Sequence, residues 1–306
     1  MIHTIDLKFK DNHNAIASFL VETDKGPILI ETGPHSTYPH LQKGIEKAGY
    51  QPSDIQHVFL SHIHLDHAGA AWAFAELGAK IYVHPRGAKH LISPERLMSS
   101  AKRIYQDQMD SLWGQMNPIP EIQVIICEDQ CVYDFGNVTL KGWYTPGHAV
   151  HHIAWQMGTA LFAGDVAGVR INNGMIVPPC PPPDINIEDW IASLNLIRGL
   201  ELEEIYLTHF DKITDIKDHL NILEKRLIGW SNWIKPYFDE KTEIQTIIPL
   251  FSAYVINELR AFGIDEVGIQ KYEAANPAWM SVAGLLRYWK KKTEREQERK
   301  EAGTGK

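Results

Sequence analysis

Short apolar runs alternate with polar turns along the first third of the chain. Residues 17–22 and 27–31 read as two strands joined through Thr23, Asp24, Lys25 and Gly26, a turn whose glycine suits a positive φ, so a hairpin is expected to open the fold. Residues 38–48 predict a helix. The apolar run 57–60 then predicts a strand that ends at a polar, histidine-rich segment, 61–67. Residues 68–77 predict a helix, 80–83 a strand and 87–116 an irregular helical stretch, so helices and strands alternate. From 124 to 155 the runs become short and β-like, with Asp134-Phe135-Gly136-Asn137 as a hairpin turn. Residues 160–165 predict a strand ending at Asp165, and 204–209 one ending at His209. Three predicted strand ends thus carry side chains that could bind a metal.

The pattern breaks in two places. Residues 177–184 contain five prolines, which fix φ and remove donors, so this segment predicts a stiff surface loop. Beyond Leu227 the chain becomes helical in pattern, with amphipathic stretches at 246–262 and 278–292. The division expected is therefore a catalytic domain over 1–227 and a helical extension over 228–306. Trp230, Trp233, Tyr237 and Phe238 are too apolar together for an exposed tail and are expected to wall a substrate pocket or to form a dimer contact. The charged residues 290–306 lack an apolar face and predict a solvated or disordered tail.

Composition narrows the function classes. With 306 residues and 44% apolar side chains the chain can bury a sizeable core. The net charge of −8, from 38 acidic and 30 basic residues, and the lack of a basic stripe argue against nucleic acid and anionic membrane as partners. A small molecule is the expected partner, with a homodimer as one option for assembly. No leader pattern or membrane-length apolar run is present, so a cytoplasmic location is expected. The three cysteines suit neither a redox nor a zinc-knuckle spacing and read as idle thiols. The 15 histidines are another matter, because several cluster tightly.

His62, His64, Asp66 and His67 place three imidazoles and a carboxylate within six residues, and positions 62, 64 and 66 would project the same way in an extended segment. Packing so many titratable groups without a cation would cost several kcal/mol. Imidazole and carboxylate suit Zn(II), and two cations need further ligands. His148 after Thr145-Pro146-Gly147, Asp165 after Gly164, and His209 can supply them, making five histidines and two aspartates.

The order His-x-His-x-Asp-His, then His, Asp and His, resembles the metallo-β-lactamase superfamily, over residues 2–223. The resemblance implies an α/β (α+β) fold, the four-layer αββα sandwich, here with a C-terminal α-helical extension. It implies that His62, His64 and His148 hold one metal, that Asp66, His67 and His209 hold the other, and that Asp165 bridges. Two Zn(II) ions per chain, with Fe or Mn as substitutes, would share a bridging hydroxide that attacks a small ester, lactone or thioester, with Asp66 moving the proton to the leaving group. His at 64 argues against the flavodiiron branch, and a carboxylate at 165 argues against an antibiotic-hydrolysing enzyme. The remaining resemblance is to the glyoxalase II and lactonase branch, although Gly168 stands where the quorum-quenching lactonases carry Tyr. Glu31-Thr32-Gly33 stands where the family has Asp-Thr-Gly, so the contact to the metal loop would use a longer arm. His152 is expected to support the ligands from outside, and the other histidines to be structural. A single-iron sulfur dioxygenase and a phosphodiesterase are the alternatives on this scaffold.

Overall fold

A computed structural model describes residues 1–304, with side chains through 302; the last two residues of the terminal Gly-Thr-Gly-Lys lie outside it. Strands β1 (Ile2–Asp6), β2 (Ala17–Val21), β3 (Ile28–Ile30), β4 (His57–Phe59), β5 (Lys80–Val83) and β6 (Val124–Ile126) form one sheet in sequence order. Its first two pairings are antiparallel and the next three parallel. The predicted hairpin is the β2–β3 pair, with Gly26 at φ 99°, but β1 precedes it and occupies the edge. Helices α1 (Tyr38–Lys47), α2 (Leu65–Ala68), α3 (Ala71–Glu76), α4 (Pro85–Ile92), α5 (Glu95–Tyr105) and α6 (Met109–Trp113) fill the connections of this half.

The second sheet comprises β7 (Val132–Asp134), β8 (Thr139–Tyr144), β9 (Ile153–Met157), β10 (Ala160–Phe162), β11 (Glu204–Tyr206) and β12 (Lys212–Ile213), again side by side in sequence order. All its pairings are antiparallel except β10 with β11, whose crossover contains α7 (Ile187–Arg198). Successive side chains of a strand face opposite ways, so a strand buried on both faces feeds two apolar layers. In β4 and β5, Val58, Ile81 and Val83 join Leu41, Phe74 and Leu91 of the helices. Phe59 and Tyr82 turn instead toward Phe19, Trp155 and Phe162 between the sheets. On the far side Leu161 and Ile205 meet Trp190 and Leu194 of α7. These three layers make the αββα sandwich.

The C-terminal helices α8 (Ile216–Asp239), α9 (Ile244–Phe262), α10 (Glu266–Ala275) and α11 (Ala278–Thr304) share the third of these layers. The division expected at 227 falls inside α8. Trp230 is buried edge-on against Phe251 and Trp233 stacks on Tyr254, so the aromatic cluster is packed among the C-terminal helices rather than walling the cavity beside the histidines. The charged tail is solvated as expected, exposed from Glu294 to Ala302, but it is helical to Thr304 rather than disordered. Lys, Glu and Arg are strong helix formers, and a pair such as Lys290 and Glu294 lies one turn apart. The proline-rich segment is a surface loop only in its second half, where Pro183 is exposed. Pro178, Pro179 and Cys180 are buried, and the main chain of α11 at Gly284 runs so close that a Cβ there would lie 2.0 Å from the Cys180 carbonyl oxygen. Arg287 Nε and Lys291 Nζ donate to the Pro183 carbonyl at 3.1 and 2.8 Å.

A chain ending at Leu227 would strip the cover from Leu220, Leu223 and Val177, all now buried. It should aggregate or bind a hydrophobic dye on gel filtration, because uncovered apolar surface of this kind seeks a partner. A monomeric truncation with the near-UV dichroism of the full chain would contradict this packing.

Candidate metal centre

Four turns converge at one edge of the sandwich. β4 ends at Phe59, and the chain passes through buried Ser61 and His62 before α2 begins at Leu65. The segment is therefore not extended through Asp66. The helical turn carries Asp66 and His67 toward His209, while the His67 ring stays 4.0 Å from that of His62. Asp165 and His209 lie in turns beyond β10 and β11 rather than on the strands themselves. At Gly164, φ is 51° and an added Cβ would lie 2.6 Å from Ser61 Oγ and 2.7 Å from His152 Nε2, so only glycine lets the Asp165 turn settle there.

All seven expected residues meet. Ligand atoms of His62, His64 and His148 lie within 4.8 Å of one another, as do those of Asp66, His67 and His209, and those of His62, His67 and Asp165. Asp165 stands between the two triads: Oδ2 is 3.2 Å from His148 Nε2, while Oδ1 is 3.2 Å from His67 Nε2 and 3.4 Å from His209 Nε2. Asp66 Oδ2 lies 3.7 and 3.5 Å from the Nε2 atoms of His67 and His209.

The tautomers follow from the outer partners. A carbonyl oxygen only accepts, so His148 donates Nδ1–H to Pro179 at 2.9 Å and His209 donates Nδ1–H to Ala15 at 2.7 Å. His67 Nδ1 faces Glu31 Oε2 at 3.2 Å. A neutral ring that donates through Nδ1 presents a lone pair at Nε2, and those lone pairs point inward. His148 Nε2 and His62 Nε2 approach His64 Nδ1 to 3.0 and 2.8 Å. The buried atoms His67 Nε2, His209 Nε2 and Asp165 Oδ1 make no hydrogen bond at all. Buried polar atoms left without partners are costly, and the donor set of imidazoles and carboxylates fits a borderline divalent metal.

Without a cation, electrostatics separate the imidazoles into two groups. Burial and the neighbouring imidazoles hold His62 well below its ordinary value and His64 down to about 3. Burial also lowers His148. Burial pushes His67 and His209 down as well, but Asp165 and Asp66 outweigh it and raise both. Burial would raise the two carboxyls, yet the facing imidazoles hold Asp66 at about 2 and Asp165 well below its ordinary range.

Around the centre, Glu31 sits in the left-handed region at φ 63° and accepts Ser61 N–H at 2.8 Å through Oε1 while Oε2 meets His67. The longer arm thus reaches both the loop backbone and a ligand. Thr32 N and Oγ1 both donate to the His67 carbonyl, at 2.8 and 2.9 Å. His152 bonds Thr145 Oγ1 at 2.8 Å and accepts Asp165 N–H at 3.2 Å, which holds the Asp165 turn from behind. His151, among the histidines expected to be structural, is buried with its ring 5.9 Å from that of His64. Sequence reasoning missed the Pro179 and Ala15 carbonyls, and Ser61, whose hydroxyl lies 2.9 Å from His62 Nδ1. A backbone acceptor leaves no residue-type signal. A cavity of about 280 Å³ opens on His64, Asp66 and Asp165, between the proline-rich segment, α5 and α6, and the α10–α11 turn.

The profile of the Metallo-beta-lactamase superfamily matches residues 12–209, a stretch that contains all seven of these residues. The chain belongs to that superfamily. This family member is 31% identical over 153 residues to the metallo-beta-lactamase fold-containing protein ST1585 of Sulfurisphaera tokodaii, covering 49% of this chain and 57% of that one. It is 24% identical over 272 residues to the probable metallo-hydrolase YqjP of Bacillus subtilis, covering 80% and 84%. It is 32% identical over 182 residues to the N-acyl homoserine lactonase AiiA of Bacillus thuringiensis subsp. kurstaki, covering 50% and 64%. The matches to the Sulfurisphaera protein and the lactonase thus span less than two thirds of those proteins. The solved structure of the metallo-beta-lactamase family protein TTHA1429 from Thermus thermophilus superposes over 95% of this chain and 94% of its own, with a TM-score of 0.61 at 18% identity. Membership of this superfamily makes the chain's histidine and aspartate clusters the candidate metal-binding groups.

Glu31→Gln should weaken metal retention by roughly 10–100-fold, the usual cost of losing a partner that orients a ligand. Competition with a chromophoric chelator reads the change. Retention equal to the parent would show that His67 is oriented without Glu31.

Proposed function

We propose that the protein is a dinuclear hydrolase that cleaves a small ester, lactone or thioester. The observation that carries the reading is the position of Asp165, whose two oxygens face different triads, Oδ2 toward His148 and Oδ1 toward His67 and His209. His62, His64 and His148 would hold one cation and Asp66, His67 and His209 the other, with Asp165 shared. Zn(II) is the metal we favour from the donor set, with Fe or Mn as substitutes. When bound, such a pair supplies an activated water at neutral pH and polarises a carbonyl.

The protein's own groups do the rest. Glu31, Pro179 and Ala15 fix the imidazole tautomers, so no reorientation is needed during turnover. Asp66 lines the cavity as well as facing His67 and His209, which sets its carboxylate where it can carry a proton to the departing alkoxide or thiolate. The proline-rich segment and the α10–α11 turn line one side of the cavity and would shield the reacting carbonyl on that side. A lactone falls within this range, and the name of the Bacillus thuringiensis relative supports including one in the first assays.

Protein purified without chelator should carry about two first-row metal ions, since seven ligands exceed the need of one tetrahedral site. Asp165→Asn should lower that content and abolish most hydrolysis, because a neutral amide bridges two cations poorly. Asp66→Asn should reduce kcat by about 10²–10⁴-fold if it also moves the proton. Elemental analysis and a panel of lactones, thioesters and phosphodiesters check this. One iron per chain with oxygen uptake on a sulfur substrate would favour a dioxygenase, and turnover of phosphodiesters alone would favour that chemistry.

A further inference from the structure

Four aromatic rings from separate parts of the chain join into one wall beside the metal residues. Phe9 stacks on Trp113 of α6 at 5.4 Å, Trp113 meets Tyr105 of α5 edge-on at 5.0 Å, and Tyr105 meets Trp279 of α11 at 6.0 Å. The Tyr105 hydroxyl, instead of offering a polar contact to a ligand, donates to Met280 Sδ at 3.2 Å. All five side chains line the cavity that opens on His64, Asp66 and Asp165, together with Leu97, Ala101 and Ile104 of α5 and prolines of the proline-rich segment. Ile104 is 44% exposed, an apolar side chain left at the surface of this wall. Two charged residues also line the cavity: burial raises the Glu273 carboxyl above its ordinary value, while the charge of Lys10 acts against that rise.

We propose that this wall selects substrates with an extended apolar acyl or alkyl group, and that Trp279, Met280 and Ala274 at the C-terminal end of the fold set its length. The proposal rests on the hydrolytic reading for the bond that is cleaved, but not for the apolar group that is held. A volume of about 280 Å³ accommodates on the order of nine units the size of a water or a methylene. That is enough for a chain of roughly six to eight carbons beyond a carbonyl placed at the metal residues. Ligand pockets are predominantly apolar with a few polar groups that fix orientation, and here the metal residues His64, Asp66 and Asp165 are among those groups, beside Ser100, Gln108 and Asn276. Burying each methylene favours binding by a factor of about four at the usual transfer coefficient, so chain length is a sensitive probe.

The decisive experiment measures both binding and turnover across one series. Calorimetry of the metal-loaded protein with acetate, butanoate, hexanoate and octanoate should show affinity rising about fourfold per methylene, with a negative heat-capacity change that marks apolar burial. The matching acyl thioesters should show kcat/KM rising over the same lengths. Trp279→Ala should flatten that dependence, and Ala274→Phe, which fills the cavity, should shift the best length to a shorter chain. The second variant guards against misfolding of the first, since a shifted optimum requires a folded cavity. Affinity independent of chain length, or an optimum that Ala274→Phe leaves in place, would overturn the assignment. If length-dependent binding appears but no ester, lactone or thioester is cleaved, the hydrolytic reading fails and the cavity assignment stands.

Discussion

Each ligand imidazole whose tautomer is fixed gives its far nitrogen to something outside the cluster. His148 donates to Pro179, His209 to Ala15 and His67 to Glu31, and in consequence three Nε2 atoms point at Asp165, which is buried, and at Asp66, which borders the cavity. Much of the structure serves this arrangement. The residue after β3 adopts a left-handed conformation so that Glu31 reaches under the loop that follows β4. Gly164 admits the Asp165 turn against Ser61 and His152, and the first half of the proline-rich segment is buried so that one of its carbonyls can meet a ligand. Neither sheet could form the site alone. The first sheet supplies His62, His64, Asp66 and His67, and the second His148, Asp165 and His209, so metal binding and docking of the two sheets are coupled.

That coupling explains which parts of the site were legible in the sequence. The seven ligands are side chains of unusual types at close spacing, and the alternating apolar runs that end at them mark strands buried on both faces. Glu31 was visible through its neighbours Thr32 and Gly33. The Pro179 and Ala15 carbonyls were not, because any residue has a carbonyl and only the folded path of the chain decides which one meets an imidazole. The extended geometry expected for 62–66 failed for a related reason: Leu65–Ala68 forms a helical turn, its backbone held by Thr32, a residue more than thirty positions earlier. A contact of that range leaves no local pattern.

The C-terminal region departs from expectation in a different way. Trp230, Trp233 and Tyr237 signal burial correctly, but aromatic content does not say against what, and their ring neighbours are one another and Phe251 and Tyr254 of the same helical region. The residues that reach the cavity, Trp279 and Met280, stand just past a proline at the start of α11, where a sequence shows only a helix beginning. The five prolines suggest exposure because they cannot join a sheet. They are equally suited to burial where no donor is needed, and the loop's carbonyls are met by His148, Asn276, Arg287 and Lys291.

The contacts of α11 link the end of the chain to the chemistry at its centre. Gly284 lets the helix backbone rest on Cys180, Arg287 and Lys291 hold the Pro183 carbonyl, and a few residues earlier Pro179 orients His148. The same helix begins with Trp279 and Met280 in the cavity wall. One rigid element therefore braces a ligand and lines the cavity, so a substitution on its packing face would disturb metal retention and substrate fit together, whereas one on its exposed charged face would disturb neither. This is the reason the helical region is better understood as the third wall of the site than as an appendage to it. A sandwich that ended at its second sheet would keep its seven ligands in the chain yet lose the brace on one of them and the surface that meets the substrate.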